Sequence, residues 1–151
     1  MNNLGKLGED LACGYLVEKG FTIMGRNWKI SWGELDIIAQ KKFTLLNKIS
    51  WILASVFRQK LFNRAGFFGR DKTIHFVEVK ALAAGSAFFP EDHVDFKKQE
   101  KLRKLAQVWL AQHKFPQTFP HQIDVIAVTI GRAGEKPLIH YIPNAVEDVL
   151  K

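Results

Sequence analysis

Asp36, Glu78 and Lys80 are the residues whose types and surroundings suit chemistry best. Glu78 and Lys80 alternate with Val77 and Val79 in Phe76-Val77-Glu78-Val79-Lys80, so on a strand they project from one face. In Gly33-Glu34-Leu35-Asp36-Ile37-Ile38 the same alternation puts Glu34 and Asp36 together. Charges in the middle of apolar strands are costly unless they are paired or bind a metal. Two such strands side by side would bring Asp36 and Glu78 into one acidic pocket, with Lys80 at its edge. Oxygen ligands of this kind suit Mg²⁺ or Mn²⁺, which takes one or two carboxylates and keeps several waters. A lysine there can position an attacking water and steady a developing phosphorane charge.

The elements that must position these groups are legible in the apolar periodicity. Leu4, Leu7, Gly8, Leu11, Ala12, Tyr15 and Leu16 predict a helix over residues 4–19, closed at Gly20. Glu9 falls beside its apolar stripe, free to reach water or to turn inward. Cys13 falls opposite the stripe. Strands are predicted for Phe21 to Trp28, Gly33 to Ala39, Thr73 to Leu82, Ile123 to Ile130 and Leu138 to Ile142. A second helix is predicted for Phe96 to His113, with Leu102, Leu105, Ala106, Trp109 and Leu110 buried. One turn back, the same side carries Lys98 and Gln99, whereas Lys97, Glu100, Lys101 and Lys104 point away. Asn144 followed by Glu147 reads as a capping box opening a short final helix.

Residues 41–72 stand apart. No acid lies between Asp36 and Asp71, and the segment 41–72 carries Lys41, Lys42, Lys48, Arg58, Lys60, Arg64, Arg70 and Lys72. Leu45, Leu46, Ile49, Ile52, Leu53, Val56 and Phe57 keep helical spacing, so the segment reads as a basic amphipathic helix inserted between two strands. It can pack on the domain, grip a phosphate backbone or lie on an anionic membrane surface.

The chain of 151 residues suits one domain spanning 1–151, and 47% apolar residues can fill a core. A formal charge of +7 favours a polyanionic partner such as nucleic acid or anionic lipid. A single cysteine, Cys13, excludes a disulfide framework and a cysteine-based zinc site. The longest mainly apolar run, Ile49 to Phe57, is too short for a spanning helix of about 20 residues. With no apolar leader at Met1, the expectation is a soluble cytoplasmic protein.

An acid, a long gap and Glu-x-Lys on a strand resemble the active-site pattern of the PD-(D/E)xK nuclease superfamily. The flanking text is more specific. Gly5-Lys6-Leu7-Gly8-Glu9-Asp10-Leu11-Ala12, Gly20-Phe21, Arg26-Asn27-Trp28, Gly33-Glu34-Leu35-Asp36-Ile37-Ile38, Phe76-Val77-Glu78-Val79-Lys80, Lys98-Gln99 and Ile123-Asp124-Val125 occur in the order found in the bacterial YraN-type family. That endonuclease-like group is similar to archaeal Holliday-junction resolvases. The resemblance spans nearly the whole chain outside 41–72. It implies an α/β fold with a restriction-endonuclease-like central mixed sheet flanked by helices. It also implies Mg²⁺ held by Asp36, Glu78 and the backbone carbonyl of Val79, with a catalytic role for Lys80. Glu9 would complete the acidic pocket, and Lys98 or Gln99 would approach the site or the nucleic-acid backbone.

Three departures stand out. Ala81-Leu82 replace the family's usual Thr-Arg, removing a phosphate contact. The 41–72 insertion lengthens what is usually a tight hairpin turn, and Gln122 stands where Arg is common. The expected activity is metal-dependent cleavage of DNA, including branched structures. The alternatives are a binding module that no longer cuts and a membrane-peripheral adaptor acting through residues 43–64. Junction-cutting relatives pair, so a homodimer is among the partners considered. Glu34 is expected to pair with Arg26 or Lys29, and Asp124 to serve structure. Trp109 reads as packing, and Trp28, Trp32 and Trp51 as candidates for stacking on bases. The five histidines, His75, His93, His113, His121 and His140, show no ligand spacing and read as incidental.

Overall fold

A computed structural model describes residues 3–41, 72–85, 95–132 and 134–146. The predicted inserted helix and Trp51 lie outside the described residues.

The chain begins with helix α1 (Asn3–Glu18), which ends where Gly20 takes φ 84° and donates its N–H to the Val17 carbonyl. Only glycine enters that left-handed region without steric cost, so the helix stops where the sequence placed its end. Strands β1 (Phe21–Ile30), β2 (Gly33–Lys41) and β3 (Ile74–Ala83) follow, then helix α2 (Phe96–Gln112), β4 (His121–Ile130) and β5 (Leu138–Val146). The strands form one mixed sheet in the order β1-β2-β3-β4-β5, antiparallel throughout except for the parallel pair β3–β4. A parallel pair needs a long crossover, and α2 supplies it. Asp95 caps α2 by accepting the Lys98 N–H at 2.9 Å.

Each helix covers one apolar face of the sheet. On the α1 side Ala12 and Leu16 pack with Phe21, Ile37, Ala39, Val77, Ile126 and Val128. On the α2 side Leu102, Leu105, Ala106, Trp109 and Leu110 pack with Leu35, Ile38, Ile74, Phe76, Ile123 and Val125. All five residues of the predicted α2 stripe are buried, and β4, covered on both faces, is almost continuously apolar as such a strand must be. Among the described residues this two-helix, five-strand α/β arrangement is of the restriction-endonuclease-like type.

Four expectations change. The segment of Asn144 does not open a helix: it continues β5, and the Asn144 N–H donates to Asp124 Oδ1 at 2.8 Å. Leu7 is 45% exposed rather than part of the stripe. Cys13 packs against the α1-side core rather than opposite it, and burial pushes its thiol pKa up. His75 is not incidental: it is buried, with Nδ1 at 2.7 Å from Asp124 Oδ2.

Candidate active site

The site forms where β2 leaves β3. Pairing between them runs from Gln40↔Ile74 to Ile37↔Val77 and goes no further, while β3 stays paired to β4 through Glu78, Lys80 and on to Ala83. One edge of β3 therefore loses its ladder partner at Glu78. The backbone groups exposed there still need partners, and Asp36 meets one of them: its Oδ2 accepts the Val79 N–H at 2.8 Å.

A break in β2 puts Asp36 there. Leu35 belongs to the α2-side core and Ile37 to the α1-side core, so strict alternation fails at the residue between them. Across the β1–β2 pair, the residue between Arg26 and Trp28 is Asn27, with φ 50°. The expectation that a regular strand sets the direction of Asp36 is thus corrected. An irregular position, satisfied by a side-chain-to-backbone bond, sets it instead.

Glu78 comes from β3 and Lys98 from the first turn of α2, 2.7 Å apart at Oε1 and Nζ. Glu78 is only 12% exposed, and its Oε2 is buried with no hydrogen-bond partner among the described residues. Asp36 is pushed up to about 7, first by burial and then by the Glu78 charge, against the opposing pull of the Val79 N–H and Lys98. Two acids thus share a desolvated corner with one ammonium between them and the helix. Val77 and Val79 pack on the α1 side, so alternation puts Lys80, half-buried, on the same side of β3 as Glu78.

Glu9 approaches from α1 because Gly8 lets that helix lie directly on β3. A Cβ built at Gly8 would fall 2.6 Å from Ala81 Cβ. The Glu9 carboxylate accepts from Asn27 Nδ2 at 2.7 Å and lies 4.0 Å from Arg26, yet its charge still raises the Asp36 pKa. Glu9 thus stands close enough to the acidic pair for its charge to act on Asp36. Gln99 is half-buried and turned along its own helix, receiving Arg103 Nη2 at 3.5 Å. Glu34 pairs with Lys29 at 2.6 Å, one of the two partners expected.

The pair fits a hard divalent cation. Mg²⁺ is commonly held by one or two carboxylates while substrate phosphate and water fill the remaining positions. The orphaned Oε2 of Glu78 and the desolvated Asp36 are oxygens that such a charge would satisfy.

Sequence reasoning missed Asn27, which holds Glu9, and the buried network of Asp124. That carboxylate accepts from His75, Gln122, Tyr141 and the Asn144 N–H, all within 2.8 Å. The available signal was His75 itself, a polar residue on the α1 face of an otherwise apolar strand start.

A mixed sheet with a helix on each face, and an acid pair where the second strand parts from the third, define a nuclease-like α/β domain of the PD-(D/E)xK class. The chain belongs to the uncharacterised protein family UPF0102, the YraN-like group of that class, whose profile matches residues 8–128. It is 30% identical to a UPF0102 protein of Dictyoglomus turgidum, over 96% of this chain and 99% of that one. A UPF0102 protein of Bifidobacterium longum subsp. infantis is 32% identical over 93% and 90% of the two chains. One from Roseiflexus castenholzii is 27% identical over 96% and 94%.

Proposed function

We propose that this protein is a Mg²⁺- or Mn²⁺-dependent endonuclease that hydrolyses phosphodiester bonds in DNA, branched structures included. The observation that carries the reading is the Glu78 carboxylate, with one oxygen on Lys98 and the other buried without a partner among the described residues, beside the desolvated Asp36. Asp36, Glu78 and the Val79 carbonyl are the groups that would hold the ion. When bound, it would polarise a phosphoryl oxygen and lower the pKa of a water.

The chain's own residues supply the rest. The Val79 N–H fixes the Asp36 carboxylate, so that it faces Glu78 without a rotamer search. Lys80, projecting beside Glu78, orients the attacking water and offsets negative charge as the phosphorane develops. Glu9, steadied by Asn27, keeps the field at Asp36 negative, which favours cation entry. A formal charge of +7 favours encounter with a polyanion.

The direct experiment is nicking of a panel of branched, flapped and linear DNAs in Mn²⁺ or Mg²⁺. Activity in the native chain should vanish in Glu78→Ala and in Lys80→Ala. Cleavage that survives both substitutions removes these residues from the mechanism.

A second reading draws on the Lys98–Glu78 pair itself, since an ammonium already neutralises one of the two acids. On that reading the scaffold binds DNA without cutting it, and Asp36→Ala leaves affinity unchanged or raises it. Mn²⁺ titration separates the two: binding that Asp36→Ala abolishes belongs to the nuclease. The membrane-adaptor alternative rests on residues 43–64, which lie outside the described residues, and anionic-liposome flotation tests it.

A further inference from the structure

The turn joining β1 to β2 carries Trp32, 46% exposed, at the mouth of a groove of about 330 Å³. The groove runs between the turn and the start of α2, lined by Lys29, Trp32, Glu34, Lys98 and Lys101. Its floor is tight: a Cβ at Gly33 would fall 2.8 Å from Lys101 Cε and 3.0 Å from Leu105 Cδ1. The bare glycine therefore lets the turn sit directly on α2 and holds the Lys101 stem across it. Glu34 is the one acid among the described residues that line the groove, and it pairs with Lys29 at 2.6 Å. What remains is an aromatic residue in water beside Lys101, with Lys98 paired to Glu78 at the groove's edge. Lys98 lines this groove and also binds Glu78, so one side chain links the groove to the acidic pair.

An exposed indole flanked by lysines matches what a single strand offers, since every base has a face to stack and every nucleotide carries a phosphate. Duplex DNA offers the phosphates but keeps its base faces covered. We propose that this groove holds an unpaired base of the DNA substrate, stacked on Trp32 with a neighbouring phosphate on Lys101. The inference rests on the nuclease reading for its choice of substrate and deepens it: the preferred DNA has an unpaired segment adjoining the scissile bond.

The test measures binding of the full chain in EDTA, by fluorescence anisotropy, to one duplex in three forms: blunt, with a short single-stranded tail, and with an abasic tail. The native protein should prefer the tailed form, and the abasic tail should lose that preference. Trp32→Ala should weaken tailed binding by roughly fivefold or more and leave blunt binding unchanged, with Trp32→Phe keeping part of the gain. Equal weakening of tailed and blunt DNA, or no weakening, overturns the proposal. So does loss of a dimer in sedimentation with DNA preference intact, which would make the turn a contact between two copies.

Cleavage of the same substrates in Mn²⁺ separates the two readings. Glu78-dependent cutting without any tail preference removes the groove proposal and leaves the nuclease. A Trp32-dependent tail preference without cutting removes the nuclease and leaves the groove.

Discussion

Lys98 and Glu78 form an ion pair across the gap between α2 and β3, with Nζ 2.7 Å from Oε1. Lys98 is 36% exposed at its side chain and Glu78 only 12%, so the lysine reaches inward to an acid that cannot reach out. The ammonium occupies the position of a counterion beside Asp36 and Glu78. A divalent cation arriving at Glu78 must compete with it. Lys98→Met should therefore bind Mn²⁺ several-fold more tightly by calorimetry while losing DNA affinity, because the same ammonium lines the Trp32 groove. An unchanged Mn²⁺ affinity would show that lysine and metal do not compete for Glu78.

Asp36 gives the site a pH signature. Its pKa is raised from 3.8 to about 7, so between those values the folded state holds a proton that the unfolded chain has released. Stability from this group is accordingly lost as pH rises through 7, the opposite of a salt-bridged carboxylate. Asp36→Asn keeps an oxygen for the Val79 N–H and removes the buried charge. It should stabilise the metal-free protein by about 4 kcal/mol at pH 8 and by well under about 1 kcal/mol at pH 4, read by urea unfolding. Added Mn²⁺ should stabilise the native chain more at pH 8 than at pH 5 and leave Asp36→Asn unmoved.

The helices and strands were legible because both periodicities are strong. Leu102 to Leu110 at helical spacing and the β-branched run from Ile123 could hardly be read otherwise. The convergence of Asp36 with Glu78 was read from two acid-bearing strands placed side by side, and the resemblance made that reading specific. Strand alternation alone gives a wrong reason for the direction of Asp36, since the period fails between Leu35 and Ile37. The Asp124 network escaped the sequence because its members come from three strands, and no local pattern announces that His75, Tyr141 and Asn144 will meet one carboxylate. Likewise Asn144 followed by Glu147 has the spacing of a helix cap, but a long-range bond to Asp124 holds Asn144 in β5.

Gly8 controls how closely α1 approaches the site. A methyl group there would lie 2.6 Å from Ala81 Cβ, a distance no packed pair of carbons tolerates. Gly8→Ala should cost about 1–3 kcal/mol through overpacking, despite alanine's better helix propensity. Combining it with Ala81→Gly should recover part of the loss, because the second change removes the clashing carbon. A urea-denaturation cycle measures the coupling, and strict additivity of the two changes would show that the contact is not shared.

Asp124 lies fully buried at 0% exposure, where a carboxylate ordinarily takes up a proton. Burial does push its pKa up. The hydrogen bonds from His75, Asn144, Gln122 and Tyr141 together outweigh that effect and hold it below the ordinary 3.8. The sign is that of a depressed carboxylate: its contribution is complete above pH 3.8 and is lost as pH falls through the lower folded-state value. Asp124→Ala strands His75, Tyr141 and Gln122 in a buried space with no acceptor, and should cost about 3–5 kcal/mol. Asp124→Asn keeps two polar atoms but replaces an acceptor with a donor facing His75 and Tyr141, so it should fall between the alanine variant and the native chain. The measurement is urea unfolding at pH 7 and again near pH 3, where the difference between native and Asp124→Asn should shrink. A constant difference across that range would mean that the network stabilises through packing, not through the ionised carboxylate.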